Sequence, residues 1–115
     1  MKQPIPKIKQ RDVERIIQRD YPEEEQDNVI SILSEYKSRT PHRVQMSALK
    51  NSDGNVQNLK QQIELANTDF RDVIMPAEYP MFWEKVGFDS DKFSKQQLKE
   101  IIELDWNQYQ SWLNE

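Results

Sequence analysis

Residues 56–75, VQNLKQQIELANTDFRDVIM, decide the fold, and they run straight into an aromatic knot at 76–83, PAEYPMFW. Apolar side chains fall at Val56, Leu59, Ile63, Ala66, Phe70, Val73 and Ile74, in alternating steps of three and four that place them along one helical stripe. The spacing predicts a long central helix over about 55–75, with other elements packed on it from both sides. Asn67-Thr68-Asp69 interrupts it only weakly, because the stripe keeps phase through Ala66 and Phe70. Pro76 disfavours helical geometry at Met75, which predicts a stop or a kink there.

Moving back toward the start, Asn51-Ser52-Asp53-Gly54 is the clearest turn in the chain, since these residues tolerate left-handed backbone and cap a following helix. Before it, Thr40-Pro41 reads as a helix start, giving a short helix at about 41–51 with a narrow face of Val44, Ala48 and Leu49. Lys37-Ser38-Arg39 is its connector. Val29, Ile32, Leu33 and Tyr36 form the stripe of a helix at about 22–37, which Pro22 opens and Glu23, Glu24 and Glu25 favour at its positive end. Val13, Ile16 and Ile17 mark a helix at about 11–20, with Asp12 and Glu14 suited to its first turn. Residues 1–9 carry two prolines and three lysines and read as a flexible basic arm.

Moving forward, Pro80 opens a short helix at 80–86 and Gly87 closes it. Ser94 and Gln97 make a capping box for the last helix, with Phe93 and Leu98 placed for a hydrophobic staple. Leu98, Ile101, Ile102, Trp106, Tyr109, Trp112 and Leu113 supply its stripe, and Asp105 falls inside it. The fold class is therefore all-α: a compact bundle of five or six helices around the long central one, with residues 10–115 forming a single domain.

With 115 residues the chain is long enough to bury a core without metal or disulfide staples. It contains no cysteine, which excludes thiolate chemistry and suits a reducing, cytoplasmic setting. There is no apolar leader at the start and no run long enough to span a membrane. Only two glycines, Gly54 and Gly87, leave little provision for a phosphate-cradling loop. The formal charge of −4 is unevenly spread: residues 1–20 hold six basic and three acidic side chains, whereas residues 21–36 hold five acidic and none basic. That polarity reads as a solvated surface or a partner patch.

Three stretches carry a resemblance. Arg-Asp-Tyr-Pro-Glu-Glu-Glu at 19–25, Arg-Val-Gln-Met-Ser-Ala-Leu-Lys at 43–50, and Asp-Phe-Arg-Asp-Val at 69–73 with Ala-Glu-Tyr-Pro at 77–80 are similar to a group of small uncharacterised bacterial helical proteins. The resemblance implies a helical fold and no assigned function, and it stops at about Pro80, so a role particular to this chain falls in the segment from Met81 onward.

Catalytic signatures are absent above background. His42 is the lone histidine, which rules out a histidine pair for metal, and no Ser-His-Asp arrangement can be argued from the spacing. Asp89, Asp91 and Glu100 match three positions of a calcium loop, but Phe93 and Ser94 stand where an oxygen ligand and the turn glycine belong. Asp69 with Asp72 is an acid/base pair on paper only. The sequence thus predicts no enzyme, no cofactor and no metal, but a protein that binds another protein; a homo-oligomer is compatible with it.

Tyr79, Phe82 and Trp83 are the anchors of the expected partner surface, although aromatic side chains of this size serve cores equally well. Folding of this segment onto the last helix predicts Trp83 against Trp106 or Trp112. The alternative function is a helix-turn-helix-like DNA binder over 40–67, with Gln57, Asn58, Gln61 and Gln62 offered to bases and Arg39, Arg43, Lys50 and Lys60 to phosphates. Nucleic acid is the weaker reading because recognition rests on many phosphate contacts and these cations are few. Finally, Asn67, Arg71, Glu78 and Asp105 are expected to form a polar network, with Arg71 pairing to Asp105 or Glu78 and locking the C-terminal part onto the central helix, or else serving as an anion site.

Overall fold

The computed structural model describes residues 3–115, and among these the chain is all-helical, without strands. Seven α-helices follow in order: α1 (Gln10–Asp20), α2 (Glu23–Ser34), α3 (Pro41–Ser52), α4 (Val56–Thr68), α5 (Arg71–Glu78), α6 (Pro80–Lys85) and α7 (Lys95–Leu113). A single 3-10 turn at Ser90–Lys92 bridges α6 and α7. The seventh helix arises because the expected long central helix is two helices. Asp69 leaves helical geometry (φ −153°, ψ 104°), and its carboxylate accepts the Arg71 backbone N–H at 3.0 Å. The side chain thereby caps α5, competing with continuation of α4 as short polar side chains do. Pro76 neither stops nor ends a helix; it lies inside α5, which runs on to Glu78.

The bundle is also centred elsewhere than expected. The most enclosed element is α3, which packs against α1, α4 and α5 and buries Val44, Met46, Ser47, Ala48, Leu49 and Ser52. A helix buried on most of its circumference is a core element. Two serines are admitted to that interior; Ser52 is satisfied there, its hydroxyl donating to the Leu49 carbonyl and sharing a hydrogen bond with the Tyr21 hydroxyl, each at 2.9 Å. The turn after α3 is the expected one, and Gly54 adopts a φ of +74°, where an added Cβ would lie 3.1 Å from the Asp20 carbonyl oxygen. A side chain there would be strained and crowded at once.

Caps explain the other boundaries. Lys9 N–H donates to Asp12 at 2.9 Å to start α1. Asn55 caps α4 through Asn58 N–H at 2.8 Å. Ser94 and Gln97 make both bonds of the expected box at α7. Helix α2 ends at Ser34, sooner than expected, yet Tyr36 remains buried beyond it, with its hydroxyl donating to the Arg39 carbonyl at 2.9 Å. Of the arm expected over 1–9, residues 1 and 2 lie outside the described residues; the rest is extended but not detached, because Pro6 is buried and Ile8 packs on the core while Ile5 faces solvent.

Helix α7 divides into two parts. Its C-terminal half enters the main core through Tyr109 and Trp112. Its N-terminal half pairs with α6 in a hairpin, contributing Ile102 as its buried apolar residue, to which α6 and its turn add Val86.

Candidate functional site

The hairpin of α6 and α7 is joined at a buried carboxylate. Asp105, 2% exposed, accepts the backbone N–H groups of Met81 and Phe82, both at 2.9 Å, at the first turn of α6. Those are orphan donors of a helix start, so an acidic side chain from α7 satisfies what α6 cannot satisfy itself. Burial raises the Asp105 pKa, against the opposing pull of the two N–H donors and of Lys50. Burial conversely lowers the pKa of Lys50, with Asp105 opposing.

This arrangement corrects the expected polar network. Arg71 reaches neither Asp105 nor Glu78; its guanidinium donates to Asp69, two residues away, at 2.9 and 3.0 Å, with the side chain 73% exposed. The local carboxylate wins because Asp69 is already held there as the α5 cap. Asp69 is therefore occupied and forms no acid/base pair with Asp72. Glu78 is buried and takes a two-pronged ion pair from Arg43 on α3, both bonds at 2.7 Å. That fork geometry is the strong form of an ion pair, and it ties α5 to α3. Asn67 is exposed and makes one long bond, to the Glu35 carbonyl at 3.4 Å. The four residues expected in one network thus bond four different sets of partners, although Glu78 and Asp105 border one small cavity, and the partner of Glu78 is Arg43.

The aromatic residues separate in the same way. Tyr79 is half-buried against the core and Phe82 is half-buried in the hairpin. Trp83 is 42% exposed and meets neither Trp106 nor Trp112. Instead it stands edge-to-face with Phe88, ring centroids 5.5 Å apart at 83°. Phe88, 91% exposed, went unremarked in the sequence; its signal was a phenylalanine off every helical stripe, directly after the closing Gly87. Leu104 on the same hairpin is also exposed. Trp112 closes the domain at its other end, packing on Tyr109 and lying 4.9 Å beneath the Arg19 guanidinium. Arg19 donates to the Trp112 carbonyl at 2.7 Å and Arg15 to that of Leu113, placing two cations at the negative end of α7.

The expected DNA-binding surface loses three of its eight residues, two of its four cations among them. Arg43 is spent on Glu78, and Lys50 is half-buried, its ammonium 6.0 Å from the Trp112 ring centroid. Gln62 accepts a bond from Asn51 at 3.0 Å. Arg39 and Lys60 remain exposed, as do Gln57, Asn58 and Gln61. Asp89, Asp91 and Glu100 do not converge, because Asp89 turns to Lys92 at 3.7 Å, and among the described residues no three acidic, histidine or cysteine side chains are grouped to hold one ion. No helix among the described residues is long and apolar enough to cross a membrane.

Among the described residues, two buried side-chain polar atoms have no hydrogen-bond partner, the Ser47 and Tyr109 hydroxyls. Burial, with the Glu78 charge adding to it, raises the Tyr109 pKa, so this phenol stays neutral. It borders a cavity of about 10 Å³ together with Glu78 and Asp105, a space on the scale of one water molecule.

No family model, curated protein or solved structure matches the chain.

Proposed function

We propose that the chain is a small, non-catalytic cytoplasmic interaction module that binds another protein, a second copy included, through the outward aromatic face of the α6–α7 hairpin. The observation that carries this reading is the Trp83–Phe88 pair, two large rings left open to solvent on a rigidly joined hairpin. Exposed aromatic anchors of this kind supply most of the affinity in protein interfaces, because each removes a large apolar area from water at little conformational cost. The buried carboxylates support the absence of catalysis: Glu78 is neutralised by Arg43, and Asp105 is committed to the backbone of α6.

The test is affinity capture from the native cell, with the intact chain compared to a W83A/F88A variant of unchanged thermal stability. Proteins retained by the intact chain should be lost from the variant. Retention of the same proteins by both, or of none by either, would overturn the proposal.

A further inference from the structure

A second surface, independent of the hairpin, lies where α1, α2 and α3 meet. Val13, Ile17 and Leu33 form the floor of a groove of about 200 Å³, Glu14 and Ile30 stand at its rim, and His42 lines it from α3. The volume falls short of the roughly 300 Å³ at which small-molecule sites begin, but it admits one or two aliphatic side chains. Ile30 is 51% exposed, although the other apolar residues of α2 are buried.

The carboxylate among the groove's lining residues, that of Glu14, has no lysine or arginine as counterpart there. The wall helix α2 holds Glu23, Glu24, Glu25 and Asp27 and no basic residue. Steps of four, three and four put Glu23, Asp27, Ile30 and Ser34 on one face, so two more carboxylates continue the rim beyond Ile30. Of the cations on α1, Arg15 and Arg19 are engaged with the last carbonyls of α7, and Arg11 lies outside the lining.

We infer that this groove docks a protein segment in which an aliphatic side chain is flanked by lysine or arginine. The aliphatic group fills the space above Val13, Ile17 and Leu33 and covers Ile30, in the manner of a helix laid in a groove. The flanking cations meet Glu14, Asp27 and Glu23, which gives orientation and speeds encounter.

The probe is a labelled helical peptide of leucine and lysine at heptad spacing, with a leucine and glutamate peptide as control, titrated against the full chain by fluorescence anisotropy. The lysine peptide should bind with a Kd on the order of 10–100 µM, weakening as salt is added. Backbone amide shifts should centre on Val13, Ile17, Ile30 and Leu33. Ile30→Lys should weaken binding about tenfold by removing apolar cover and adding a like charge. Glu14→Lys, remote from the core, should weaken it and flatten the salt dependence. W83A/F88A should bind as the natural chain does, which separates this site from the hairpin. Binding of the glutamate peptide with equal strength, shifts centred on Trp83, or full affinity in both Ile30→Lys and Glu14→Lys would overturn the inference.

Discussion

Replacing Arg43 by methionine leaves Glu78 as a buried carboxylate with both of its charged hydrogen bonds removed. Breaking a buried pair from one side costs about 3–5 kcal/mol. The Arg43 side chain is 21% exposed and Glu78 only 5%, so solvent relieves part of the penalty and the lower end, about 3 kcal/mol, is the expected loss. For a domain of this size that is a fall in Tm of roughly 12 °C. The double variant R43M/E78M removes both charges and keeps the volume. It should recover about 1.5 kcal/mol or more of the summed single losses in a double-mutant cycle read by urea and thermal denaturation. The contrasting control is Arg71→Met, whose side chain lies in solvent beside Asp69 and should leave Tm unchanged within error. The reasoning is refuted if R43M melts with the natural chain, or if R71M loses as much as R43M.

Three further expectations concern buried groups and charge. Asp105 has a folded-state pKa above its ordinary 3.8, so its protonation favours the folded state; that contribution is complete below the unfolded pKa and is lost as pH rises through the folded one. The stability of the natural chain relative to D105N should therefore increase as pH falls from 7 toward 4, measured by urea denaturation at each pH. Tyr109→Phe removes a buried hydroxyl without a partner and should hold or raise Tm, since an unmet polar group costs about 1–3 kcal/mol to bury. In a mobility-shift assay at low salt the chain should not retard duplex DNA, because two of the four cations expected at phosphates, Arg43 and Lys50, are engaged inside the fold.

The sequence exposed those parts of the fold that depend on local signals. The capping box at Ser94 and Gln97, the turn at Gly54 and the stripe of Leu59, Ile63 and Ala66 are all where their residue types place them. What it concealed depended on competition between partners. Asp69 can sit within a helix or cap the next one, and periodicity alone cannot show which; its capture of the Arg71 N–H and guanidinium ends α4 and takes Arg71 from the expected network. The central role of α3 was hidden because its buried face includes Ser47 and Ser52, which read as polar until Tyr21 is seen to meet Ser52. Asp105 was legible as an anomaly in an apolar stripe, but its partners are backbone N–H groups, which carry no sequence signal. Phe88 lay outside every periodic pattern, which is why an exposed aromatic in a turn was passed over.

The interaction surface is most directly tested by placing a photo-crosslinking amino acid at position 88, or at exposed position 61 on α4 as control, and irradiating native cells that express each chain. The account predicts discrete higher-mass adducts from position 88 and none from position 61. No adduct at 88, or the same adducts from both positions, would contradict it.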